Sequence, residues 1–231
     1  MGAVASYEKK LLIGVTIATL VGYLMQIIAI GTNYWLIVVF PDVAFTNSTV
    51  VVRTHSGIWV TCVVEWSRAT EEEEESCESL SMFPTEEQLK NRPDVDSRFL
   101  DFRRTEAAFS IIAMVIMFLG HFFALYTFKR PRYIHKRLTG LLHVMAAACV
   151  LVINEVFSNS VAYAKQSLPL RHPLGSNQSY GFSIVLSWLV FVIYLIAFVC
   201  YLVCSHKRKH EMADSIDVLA DEDEPVQLGR V

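Results

Sequence analysis

Apolar residues along this chain gather into four long runs, and the length of those runs decides what class of protein it is. Leu11 to Trp35 carries no charge, Ala107 to Phe128 is broken by His121, Leu138 to Phe157 holds His143, Asn154 and Glu155, and Phe182 to Cys204 is again uncharged. A helix needs about 20 mostly apolar residues to cross a hydrocarbon layer of about 30 Å, so each run predicts a membrane span. The first and fourth runs also lack the polar face, repeating every ~3.6 residues, that a helix packed on a soluble core presents. The predicted fold is a left-handed four-helix transmembrane bundle, all-α within the membrane, capped outside by a small antiparallel sheet.

Lys and Arg close to a span are retained on the cytoplasmic side. Lys9 and Lys10 precede the first span, the connector 129–137 holds five Lys or Arg and no acid, and His206 to His210 follows the last span with Lys207, Arg208 and Lys209. All three segments fall on one side if both termini are cytoplasmic. The expected organisation is an N-terminus over 1–10, spans over 11–35, 106–128, 138–157 and 182–204, and a tail over 205–231. Between them lie outer loops over 36–105 and 158–181 and an inner connector over 129–137. Two N-x-[ST] glycosylation sequons, at Asn47 and Asn177, both fall in loops that this rule places outside. The expected location is the plasma membrane.

The first outer loop reads as strands. From Ile58 the chain alternates, with Ile58, Val60, Cys62, Val64 and Trp66 pointing one way. Ser56-Gly57 suits a bend ahead of it, and Val50 to Thr54 reads as a preceding β-rich stretch. Cys62 and Cys77 are the two cysteines outside the predicted spans, on an oxidising side, and pair naturally as a disulfide. Between them stand Glu71, Glu72, Glu73, Glu74 and Glu75, which repel one another, resist burial and predict a solvated hairpin tip. The sharper reading of this run is an electrostatic contact with a basic patch on a partner ectodomain, or weak attraction of divalent cations, although EF-hand spacing is absent.

Composition narrows the chemistry. Of 231 residues 53% are apolar and 19% charged, and the formal net charge is −3, so a nucleic-acid partner is not expected. A nucleophile with its base, a metal-ligand cluster and a glycine-rich phosphate loop are not found in the sequence, so no catalysis, cofactor, metal or small-molecule substrate is expected. Gly14, Ala18 and Gly22, with Gln26 continuing the row, invite close helix packing, either within the bundle or as a seam for a partner. His121 and His143 are expected to be hydrogen-bonded inside the bundle. Glu155 must pair, protonate or reach the interface, and is a candidate contact with a partner's transmembrane segment. Gly2, followed by Ser6, fits a myristoylation pattern, and Cys204 lies where a palmitoyl group could attach.

Trp35, Gly57-Ile58-Trp59, Cys62 and Cys77 together resemble the W…GLW…C…C signature of the claudin and calcium-channel gamma-subunit superfamily, with Ile58 in the usual leucine place. The resemblance extends over nearly the whole chain. Ile28 to Leu36 and His55-Ser56-Gly57-Ile58-Trp59 look like the gamma-subunit and TARP versions, and Tyr180-Gly181 followed by Ser187-Trp188 is similar to the muscle-type gamma branch. Cys62 and Cys77, with 14 residues between them, are spaced more widely than in claudins. The tail ends Gly229-Arg230-Val231 and differs from the threonine-containing ligand of receptor-regulating TARPs. What the resemblance implies is an auxiliary subunit that modulates gating or surface delivery of a pore-forming ion channel subunit, either a voltage-gated calcium channel or an AMPA-type ionotropic glutamate receptor. A claudin-like cell–cell adhesion protein is the alternative.

Overall fold

The computed structural model describes residues 2–41, 45–46, 49–67, 71–85, 87, 96–129 and 133–205. Four helices span it: α1 (Gly2–Gly31), α2 (Ser97–Lys129), α3 (Tyr133–Ser167) and α4 (Phe182–Val203). Each contains a stretch long and apolar enough to cross a membrane. Within the apolar stretches they leave many large apolar side chains exposed, such as Ile17 and Leu24 on α1, Phe118 and Phe122 on α2, Leu141 on α3 and Leu189 and Val199 on α4. A surface of that kind is stable only against lipid or protein.

Inside, Met117, Val150, Ile153, Val190 and Tyr194 are fully buried, and the core continues into Trp35, Phe157 and Ile58 at one end. α1 packs mainly on α4, and only lightly on α2. Of the small-residue row on α1, Gly22 is buried, and a Cβ there would meet the Tyr194 ring at 3.2 Å. Gly14 and Ala18 are exposed, and a Cβ on Gly14 would meet nothing within 4 Å. The buried stripe is instead Leu12, Thr19, Gly22, Gln26 and Ala29, which keeps the 3.6-residue period that a strict four-residue row drifts away from. Thr16, on the flank of this stripe, meets the Tyr201 hydroxyl at 2.7 Å.

Two helices run past the predicted spans. α2 starts nine residues before Glu106, where the Asp96 carboxylate accepts the Phe99 backbone N–H at 2.7 Å and caps the first turn. α3 continues to Ser167, and the Tyr163 hydroxyl donates to the same Asp96 carboxylate, tying the two extensions together. At the other end of the chain's first run, the helix stops at Gly31 rather than Trp35. Thr32 to Trp35 is the non-helical passage from α1 into the sheet.

The sheet comprises β1 (Leu36–Val39), β2 (Phe45–Thr46), β3 (Thr49–Ser56), β4 (Val60–Ser67), β5 (Glu72–Ser79) and β6 (Asn177–Tyr180). Its order is β5-β4-β3-β1-β6, with β2 paired to β3 beside β1, and every pairing is antiparallel. The second loop thus contributes a strand, β6, that its polar sequence Asn-Gln-Ser-Tyr did not announce. β4 shows the predicted alternation, with Cys62 and Val64 buried between half-buried neighbours. The glutamate run departs from expectation: Glu71 sits at the turn, but Glu72 to Glu75 belong to the edge strand β5. All remain exposed. An edge strand tolerates such a run because alternate side chains leave on opposite faces.

Candidate functional site

The junction between helices and sheet is built on the tryptophan–glycine–isoleucine–tryptophan residues. Trp35 is fully buried, its Nε1 donates to the Ala29 carbonyl at 2.6 Å, and its ring lies 5.1 Å from that of Phe157. A Cβ on Gly57 would lie 2.6 Å from the Thr32 carbonyl oxygen and 2.8 Å from the Asn33 Cα, so this turn presses directly on the α1 exit. Ile58 is fully buried beside it, and Trp59 is half-buried.

Behind the turn stands a pair that the sequence reading passed over. Arg103 on α2 donates through Nη2 to the carbonyls of Gly57 and of Ile58, the latter at 2.7 Å, and through Nη1 to Glu106 at 2.8 Å. Both side chains are almost wholly buried. Buried carbonyls in a tight turn need donors, and here a cation from the neighbouring helix supplies them while its own charge is balanced one turn further on. The available signal was the i, i+3 spacing of Arg103 and Glu106 just ahead of an apolar run, which predicts a helix longer than the span.

On the other face, Cys62 and Cys77 occupy directly opposed positions of β4 and β5 and form the expected disulfide, 15 positions apart in sequence. The free cysteines Cys149, Cys200 and Cys204 all lie on or beside the helices. Replacing Cys62 and Cys77 together with serine is expected to lower stability by about 3 kcal/mol, on the chain-entropy scale for a loop of this length. Thermal unfolding of the purified protein with and without reductant checks it.

His55 links the disulfide region to the passage that follows α1. Its Nε2 lies 2.9 Å from Glu75 and its Nδ1 3.3 Å from the Asn33 carbonyl, and Tyr34 stacks on the ring at 4.6 Å. His55, Cys62 and Glu75 bring three potential metal ligands within 4.8 Å of one another. The Cys62 sulfur is already bonded to Cys77, so no thiolate is on offer and the arrangement is a clasp rather than a metal centre. Arg53 and Glu73 approach to 3.8 Å across the same face, both half-exposed.

The other predicted positions are spread over the molecule. Glu155 is exposed on α3 and has no side-chain partner among the described residues. Its neighbour Asn154 is buried and accepts the Ser187 hydroxyl of α4 at 2.6 Å. Asn177 is exposed on β6, whereas Asn47 lies outside the described residues. Gly2 begins α1, and Cys204 is buried with Leu12, Ala124 and Tyr201 at the end of the bundle away from the sheet. His121 donates through Nδ1 to the Met117 carbonyl, 2.7 Å away, as expected. His143 does not follow the expectation: among the described residues neither ring nitrogen has a hydrogen-bond partner, and the ring is held among those of His121, Tyr194 and Tyr201.

A four-helix bundle of membrane-spanning length, joined at a buried tryptophan to a disulfide-braced antiparallel sheet, defines a class of multi-pass membrane protein. A protein-family model described as PMP-22/EMP/MP20/Claudin tight junction matches residues 20–203, and the chain belongs to that family. A search of curated proteins found no match.

Proposed function

We propose that this protein is an auxiliary gamma-type subunit that binds a pore-forming channel, a voltage-gated calcium channel or an AMPA-type glutamate receptor, and changes its gating or its delivery to the plasma membrane. The observation that carries the reading is the edge strand β5. It presents Glu72 to Glu75 to solvent on a sheet fixed to α1 and α2 through Gly57, Arg103 and His55. A charged surface held above a helix bundle is suited to orient a second membrane protein, and Glu155, exposed and without a side-chain partner among the described residues, gives α3 a polar point on its outward side. A subunit shifts a gating equilibrium only by the difference in its affinity for the two channel states, so this docking is state-dependent.

The charged flanks support cytoplasmic termini, which put the sheet and the glycan acceptors Asn47 and Asn177 outside. The family match supports a second reading equally well, a claudin-like adhesion protein of cell–cell junctions.

Co-expression separates the two. Under the gamma reading, currents through one host change in amplitude or in voltage or agonist dependence, and transfected cells form no junctional strands. Unchanged currents together with strand formation overturn it. Converting Glu71 to Glu75 to glutamine is expected to weaken association with the host about tenfold at low ionic strength and to flatten its salt dependence. Co-purification at two salt concentrations measures both.

A further inference from the structure

The clasp around the disulfide holds the parts of a metal site with its two sulfurs tied together. His55 of β3, Cys62 of β4 and Cys77 of β5 stand directly opposite one another in one row across the sheet, and Glu75, two residues before Cys77, leaves β5 on the same face. His55, Cys62 and Glu75 each offer one ligand atom, and the three atoms lie within 4.8 Å of one another. Donors on a tetrahedral zinc stand about 3.3–3.8 Å apart, so these three need converge by roughly 1 Å. His55 and Cys62, 5% and 1% exposed, form the floor, whereas Glu75 and Cys77 are exposed and leave a path to solvent.

The surroundings orient these donors. His55 Nδ1 lies 3.3 Å from the Asn33 carbonyl, which only accepts, so Nδ1 carries the hydrogen. That is the outer-shell bond that aims a metal-bound imidazole. Nε2 then lies 2.9 Å from the Glu75 carboxylate, again an acceptor, so a second proton or another cation has to stand between them. The Asn33 side-chain amide donates toward Cys62 Sγ at 3.8 Å. Two further charges share this face among the described residues, Arg53 and Glu73, and they meet each other at 3.8 Å. With both thiols ionised the four donors carry three negative charges, which a divalent cation largely balances. Two sulfurs, a nitrogen and an oxygen select zinc over magnesium or calcium.

We propose that the dithiol form of this sheet binds one zinc ion through His55 Nε2, Cys62 Sγ, Cys77 Sγ and a Glu75 oxygen. The disulfide form, with no thiolate to offer, is the clasp described above. The two forms interconvert by thiol–disulfide exchange. An external disulfide takes two electrons from the thiolates and two protons from solvent and becomes two thiols, while the Cys62–Cys77 bond forms and zinc leaves. A newly made chain, its cysteines still reduced, thus has a metal joining β3, β4 and β5 before the covalent bond replaces it. The site is independent of whether the family role is channel regulation or adhesion.

The test uses the full chain in a maltoside detergent, reduced with a phosphine that is then removed without air, and titrated with cobalt(II) and with zinc. One cobalt per chain is expected, with the d–d bands of a tetrahedral ion and a thiolate-to-cobalt charge-transfer band, and one zinc should bleach both. The unreduced chain should show neither band. Asn33→Ala, which alters only the outer shell, should weaken zinc binding roughly tenfold, and His55→Gln and Glu75→Gln should each weaken it by more. The double variant Cys62→Ser with Cys77→Ser keeps Cys149, Cys200 and Cys204 and should also show neither band. Only the weak bands of an octahedral ion in the reduced wild type, undiminished affinity in His55→Gln, or the charge-transfer band in the double variant each overturn the proposal. Size exclusion follows the reduced, metal-free chain, and aggregation that zinc does not reverse overturns it as well.

Discussion

Replacing Arg103 with methionine is expected to destabilise the protein by about 3–5 kcal/mol, the range for removing one partner of a buried ion pair. Methionine fills much of the same volume but leaves Glu106, which is 0% exposed, without its countercharge. It also leaves the Gly57 and Ile58 carbonyls without their side-chain donor. Each of these losses acts at the point where sheet and bundle meet, so the variant should lose the sheet's fixed position as well as stability. In detergent the expected drop in melting temperature is roughly 10 °C. The double replacement of Arg103 by methionine and Glu106 by glutamine should recover part of it, because the isolated buried charge is gone while the two carbonyls remain unserved. A double variant no better than the single one would mean that the charge pairing contributes little and the carbonyl contacts dominate.

The second large effect is expected at Gly181, the residue before the first turn of α4. A Cβ there would stand 2.0 Å from the Tyr34 carbonyl oxygen, a backbone atom that cannot swing aside. The same spot carries the Gly181 N–H bond to the Trp35 carbonyl at 3.0 Å and the Ser183 N–H bond to the Tyr34 carbonyl at 3.2 Å. Gly181→Ala must therefore part α4 from the α1 exit, lose both bonds and open a gap against Trp35. The yield of monodisperse protein on size exclusion is expected to fall by an order of magnitude or more. Gly14→Ala is the matched control. Nothing stands within 4 Å of its Cβ, and alanine in a helix interior is favoured over glycine by roughly 1 kcal/mol. That variant should express as well as the wild type or better.

The membrane helices were legible in the sequence because runs of about twenty mostly apolar residues match the thickness of a hydrocarbon layer. β4 was legible because its alternation met a cysteine pair. What escaped were features decided by contacts between distant segments. The extensions of α2 and α3 carry mixed polar residues, such as Arg103, Arg104 and Thr105, that fall outside the apolar runs, and they are held as helix where Asp96 caps one and Tyr163 reaches it from the other. The strands β1 and β6 are four residues each, too short for a period, and exist because they pair with each other and, for β1, with β3. The glutamate run is solvated throughout as its charge predicts, but only Glu71 stands at the turn and Glu72 to Glu75 continue into a strand. Repulsion dictates exposure, while its place in a strand depends on β4 alongside and on Arg53 and His55 two strands away. His143 was expected to find a partner because lone buried polar groups are costly, yet aromatic edges surround it. Of the junction, Trp35 and the glycine turn were visible as a motif. The arginine that holds the turn was not, since nothing local to it points to residue 57.

The pairing of β1 with β6 dictates an order of assembly. Val39 opposes Asn177, 138 positions later in the chain. At ribosomal speeds of about 5–20 residues per second, β1 waits roughly 7–28 s with one flank unsatisfied before its neighbour is made. During that interval the nascent chain has its first three helices but an incomplete sheet, whose open flank lies at β1 on the side away from the acidic strand. Quality-control factors that survey unfinished membrane proteins would meet this flank first, and translation halted before residue 177 would leave it open permanently.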